Sequence, residues 1–142
     1  RQFLHPALLA FDAPAREECT AERPRSNTPL AALVMLNDPS QVEAARALAE
    51  RTLRQGSTGL KARFNALGQQ VLSRPFNSRE QMLLAKLLRK HIEDFEAKPA
   101  EADKLIRTGI APVPSDIPPV ELAAWTSVAR AVLNLHETIT RN

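Results

Sequence analysis

Along most of this chain apolar residues return every three or four positions. Val42, Ala45, Ala49 and Leu53 mark one side of a helical wheel with Leu48 beside them, and Glu43, Arg46, Glu50 and Arg54 are assigned to the other. That repeat predicts an amphipathic helix from Pro39 to Gln55. Before it, Leu30 to Leu36 is apolar without a break, which predicts a short helix buried on all sides. Thr28 suits the N-cap and Pro29 the first helical position, where no N–H partner is needed. Asn37-Asp38-Pro39 repeats the device: Asp38 caps, Pro39 starts, and Gln41 stands at the capping-box position. Gly56-Ser57-Thr58-Gly59 reads as a loop. Leu60, Phe64, Leu67 and Val71 then mark a third helix, stopped by Arg74-Pro75. Gly68 inside it costs about 1 kcal/mol relative to Ala, and a close helix approach is the expected compensation. Ser78 with Gln81 reads as a capping box for a fourth helix to Ala97, with Leu84, Leu88, Ile92 and Phe95 as its face, broadened by Ala85 and Leu87. A short fifth helix follows Pro99 and ends at Gly109 as its C′ residue. Residues 111–119 hold four prolines and form an extended connector. Pro119 begins the last helix, with an apolar stripe of Leu122, Trp125, Val128, Val132, Leu135 and Ile139.

The stretch 1–27 differs. Pro6, Pro14 and Pro24 interrupt it, and polar residues fill 16–26, so it reads as an irregular arm lying on the helices. No segment alternates with period two. The expected fold is all-α: one helical domain with bundle-like packing of about five helices over 28–142, antiparallel neighbours and the arm at 1–27. A chain of 142 residues is long enough to bury a core without staples.

Composition sharpens this little. The hydrophobic fraction is 44%, with five Phe, one Trp and no Tyr, and the excess of Leu and Ala favours helix over sheet. A net charge of +3 taken alone suggests an anionic partner. The distribution argues otherwise. Arg46 with Glu50, Glu50 with Arg54, and Lys90 with Asp94 form i,i+4 pairs expected on exposed faces. The densest basic groups, Arg23/Arg25 and Lys86/Arg89/Lys90, carry no aromatic platform. No nucleic-acid partner is therefore expected. No segment reaches the roughly 18 apolar residues needed to span a membrane. The chain opens on Arg1-Gln2-Phe3, with no initiator Met and no signal-peptide pattern, and so reads as a fragment of a larger protein.

Candidate chemistry is sparse. His5, His91 and His136 stand apart from one another and from metal-ligand spacing, so neither a metal nor another cofactor is expected in this fragment. His91 reads as a boundary histidine and His136 as a helix C-terminal one. Cys19 is the sole cysteine, which excludes an internal disulfide. Gly56 to Gly59 lacks the Lys-Ser/Thr of a phosphate loop. The arm remains. Asp12, Arg16, Cys19, Arg25 and Asn27 place polar groups on irregular backbone, as binding groups on a helical scaffold are often placed. They are the binding candidates; the competing reading makes Asp12 a cap, Cys19 an inert buried thiol and the arginines partners of nearby acids. Asn134 and Glu137 are a weaker second pair.

Several of these residues also carry a family likeness. Phe11-Asp12-Ala13-Pro14, Arg16, Cys19, Arg25, Asn27-Thr28-Pro29-Leu30, Ala32-Leu33, Leu36-Asn37-Asp38-Pro39 and Val42-Glu43-Ala44-Ala45-Arg46 recur with Glu121-Leu122-Ala123-Ala124-Trp125 and Leu133-Asn134-Leu135. Together they resemble the C-terminal planctomycete cytochrome-c-associated domain, a domain of unknown function. The resemblance implies the C-terminal portion of an exported or periplasmic multidomain protein. It further implies an upstream cytochrome-c-type haem domain, another uncharacterised domain and sometimes carbohydrate-binding modules. The partners so implied are other domains of the same parent, and polysaccharide. Two functions follow: a structural or interaction module, or a contribution of polar residues to a redox or polysaccharide-processing active site completed upstream. The family has no established catalytic residues to carry over, and Cys-x-x-Cys-His is absent here.

Overall fold

The computed structural model describes residues 29–55 and 59–139, and every regular element among them is helical. In chain order these are α1 (Pro29–Asn37), α2 (Pro39–Arg54), α3 (Leu60–Leu72), α4 (Ser78–Ala97), α5 (Pro99–Ile106), α6 (Pro119–Leu133) and α7 (His136–Ile139). The expected all-α bundle is what forms, with seven described helices in place of about five. The predicted arm and the Thr28 cap fall outside the described residues.

The centre of the bundle is α6, which touches every other described helix. Its residues 122–129 are buried on all sides. Three of them are alanines, Ala123, Ala124 and Ala129, whose small side chains let neighbouring backbones approach. Thr126 and Ser127 lie there too, and each hydroxyl donates to the carbonyl four residues back, Leu122 O and Ala123 O, so neither is left unsatisfied. Trp125 supplies the bulk and meets Phe64 of α3 at 5.3 Å between ring centroids, tilted by 44°. Leu67, Leu88, Ala102 and Ile106 complete the core from α3, α4 and α5.

Local rules hold at most ends. Asp38 accepts from Ser40 N–H at 2.9 Å to cap α2, and Pro39 follows it. The cap of α4 lies one residue earlier than the pattern suggested. Asn77 accepts from Glu80 N–H at 2.9 Å, and Glu80 accepts in return from Asn77 N–H at 2.7 Å, so Asn77/Glu80 replaces Ser78/Gln81 as the capping box. Gln81 instead donates to Asn65 and Phe76 O.

Other departures have tertiary causes. Among the described residues helix α1 packs on α2 and α6, and it is not buried all round: Leu33 is 55% exposed. Gly68 faces its own following turn, not another helix: a Cβ there would lie 2.8 Å from Arg74 O and 3.0 Å from the Phe76 ring. Helix α5 stops at Ile106 with Arg107 as its C-cap, and Gly109, at φ +108°, turns the chain beyond it. The last predicted helix breaks at Asn134, leaving Leu135 and Ile139 exposed and His136 at the start of α7.

Candidate functional site

The sequence candidates Asp12, Arg16, Cys19, Arg25 and Asn27 lie outside the described residues. The second pair lies inside them and does not act together. Glu137 is exposed and bound to Arg74, whereas the Asn134 amide oxygen is buried without a partner.

The densest polar arrangement is elsewhere, where α2 meets the segment after α5. Arg46 is only 2% exposed. Its guanidinium donates to Ile106 O through Nη1 and to Ala111 O through Nη2 at 2.9 Å. Glu43, one turn earlier, accepts from Ile110 N–H at 3.0 Å and Ala111 N–H at 2.6 Å. The two side chains thus grip both the donors and the acceptors of one turn. Glu43 also lies 3.8 Å and Glu50 3.5 Å from Arg46. The Ile110 and then Ala111 N–H groups hold the Glu43 carboxyl below the ordinary carboxylate range, with Arg46 adding to this and burial opposing it. Gly109 is required here: its positive φ suits glycine, and a Cβ would sit 2.4 Å from Glu43 Oε2. A pair of N–H groups converging on a carboxylate is an anion cradle, and its anion is the chain's own Glu43.

The burial of Arg46 overturns its assignment to the solvent face. At about 100° per residue it stands about 40° from Val42, just beyond Leu53 at the edge of the apolar arc. Wheel angle therefore leaves it between the two faces, and its charge placed it on the wrong one. The expected Glu50–Arg54 pair forms at 3.9 Å, but Arg54 makes its stronger contact to Asp116, in two hydrogen bonds of 2.8 and 3.1 Å. Among the described residues no ion pair joins Lys90 to Asp94.

Three further arginines tie elements together. Arg63 bonds Glu121 at 3.0 Å, joining α3 to the start of α6. Arg74 reaches Glu137 at 2.6 and 2.7 Å and Glu80 at 3.0 and 3.1 Å, fastening the α3–α4 turn to α7. Those hydrogen bonds push the Arg74 pKa up and hold both carboxylates down. Arg130, half-buried, donates through Nε and Nη2 to Leu36 O, which satisfies a terminal carbonyl of α1. Burial lowers its pKa. His91 keeps the boundary role expected of it: it is half-buried, stacks on Phe95 at 6.1 Å, and is pushed below its usual pKa chiefly by burial.

Among the described residues no group of three or more His, Cys, Asp or Glu is placed to hold a metal ion, and no helix is long and apolar enough to cross a membrane. A family model described as "PSD1: Protein of unknown function (DUF1553)" matches residues 1–88. No curated protein and no solved structure matches the chain.

Proposed function

The chain belongs to the PSD1 family, proteins of unknown function (DUF1553), and from that premise we propose that it is a structural or interaction module of an exported multidomain protein associated with cytochrome-c-type haem domains. Export and the haem association rest on the sequence resemblance. The module reading is supported chiefly by one observation: Glu43 and Arg46 spend their charged groups on holding the turn 106–111 to α2. A carboxylate and a guanidinium engaged in this way stiffen a scaffold. The partners are the other domains of the parent protein.

Binding measurements on the purified chain test the reading. Titrations with haemin, zinc and soluble polysaccharide are expected to be flat. Stoichiometric haem or metal would refute a purely structural role. Saturable polysaccharide binding abolished by Asp12→Ala or Arg16→Ala would move the function to the active-site alternative.

A further inference from the structure

Helix α4 has a charge pattern that does not serve the helix itself. It is 20 residues long and packs on α3, α5 and α6 through Leu84, Leu88, Ile92 and Phe95. Met82, Lys86, Arg89, Glu93 and Glu96 lie on the opposite side, four, three, four and three residues apart, and all are exposed. That spacing makes a single straight seam. Its first half is apolar and basic, and its second half is acidic.

This order works against the isolated helix. Carboxylates are disfavoured near a helix C-terminus, where the macrodipole is negative, and cations are favoured there. The last turn of α4 nevertheless has no basic residue. Lys98, just beyond it, is paired with Glu101 at 3.5 Å. Arg89 precedes Glu93 by four residues, the weaker order for an intrahelical pair. Among the described residues the ion pairs include none for Lys86, Arg89, Glu93 or Glu96.

We propose that this seam is a self-association surface, on which α4 of a second copy of the chain lies antiparallel. The two-fold arrangement sets Lys86 against Glu96 of the second copy and Arg89 against Glu93 of the second copy, and each pair occurs twice. Met82, 64% exposed, then reaches the exposed turn at Lys98 and Pro99 of the second copy. Charge complementarity selects this occupant. A uniformly acidic partner would match the first half and be repelled by the second, whereas an antiparallel copy matches both. The opposed macrodipoles also become favourable neighbours. The contact is one helix wide, so the dimer is weak and salt-sensitive.

Sedimentation equilibrium on the full 142-residue chain, from micromolar to millimolar at low salt, is the test. The wild type is expected to approach twice the monomer mass, with dissociation strengthened by added salt. The double variant Lys86→Glu/Arg89→Glu makes the seam wholly acidic, and Glu93→Lys/Glu96→Lys makes it wholly basic. Each alone is expected to dimerise at least about tenfold more weakly. An equimolar mixture is expected to recover a heterodimer. Circular dichroism verifies that both variants keep the helical fold. A wild type that stays monomeric throughout overturns the proposal. So does a dimer that neither variant weakens, or a mixture that fails to associate.

Discussion

Replacing Arg46 by Ala removes the centre of the α2 clamp, and its cost follows from the contacts. Arg46 is 2% exposed and donates to two backbone carbonyls, Ile106 O and Ala111 O. Losing the cation leaves at least one of these acceptors inside the protein without a donor, at about 1–3 kcal/mol for each such group. Truncation also empties the space that the buried side chain filled. The sum is about 3–5 kcal/mol, the range for breaking a buried charged network. That is a large share of the stability of an ordinary domain. Urea unfolding followed by circular dichroism measures it as a lower midpoint at unchanged slope. Arg46→Met, which keeps most of the volume, separates packing from polar loss and is expected to recover only a minor part. Hydrogen exchange supplies a local readout. The Ile110 and Ala111 amides, bound to Glu43, should exchange faster in both variants, because Glu43 loses the cation beside it. If Arg46→Ala unfolds within about 1 kcal/mol of wild type and those amides stay protected, the clamp does not hold the turn and the reasoning fails.

Three other outcomes are expected. Gly68→Ala gains helix propensity but drives a methyl against Arg74 O and Phe76, so it should lose about 1–3 kcal/mol in urea titration; a stabilised variant would show that the turn yields. Asn77→Ala should cost about 1 kcal/mol and Ser78→Ala much less, because Asn77 bonds the Glu80 N–H; the reverse order would return the cap to Ser78. Burial depresses the pKa of His91 in the folded state below its ordinary 6.5, so the unfolded chain binds more protons between the two values. Its share of stability is therefore complete above 6.5 and is lost as pH falls through the folded value. Thermal melts across that window should slope less in His91→Gln than in wild type. Glu43, Glu80, Asp116 and Glu137, all held low, add a loss of the same sign at more acid pH, with Arg and backbone N–H partners as its cause.

What could be read from residues alone was whatever depends on near neighbours in the chain. The 3.6-residue repeat located α2, α3, α4 and α6, and Asp38-Pro39 and Pro119 marked true helix starts, because capping and φ restriction act within one turn. Even the cap at α4 was missed by only one position, since Asn77/Glu80 and Ser78/Gln81 satisfy the same local rule. Membership of a family of unknown function, likewise a property of residue order, was legible too, and the family model matches residues 1–88. The tertiary structure decided which polar groups leave water. Arg46 and Arg54 share one helix and one charge, yet Arg46 is buried and Arg54 is half-exposed. The difference is that the carbonyls of Ile106 and Ala111, sixty or more positions away, are brought over Arg46 when α5 packs on α2. A buried cation needs acceptors that surround it, and only the folded chain can say which distant backbone will supply them.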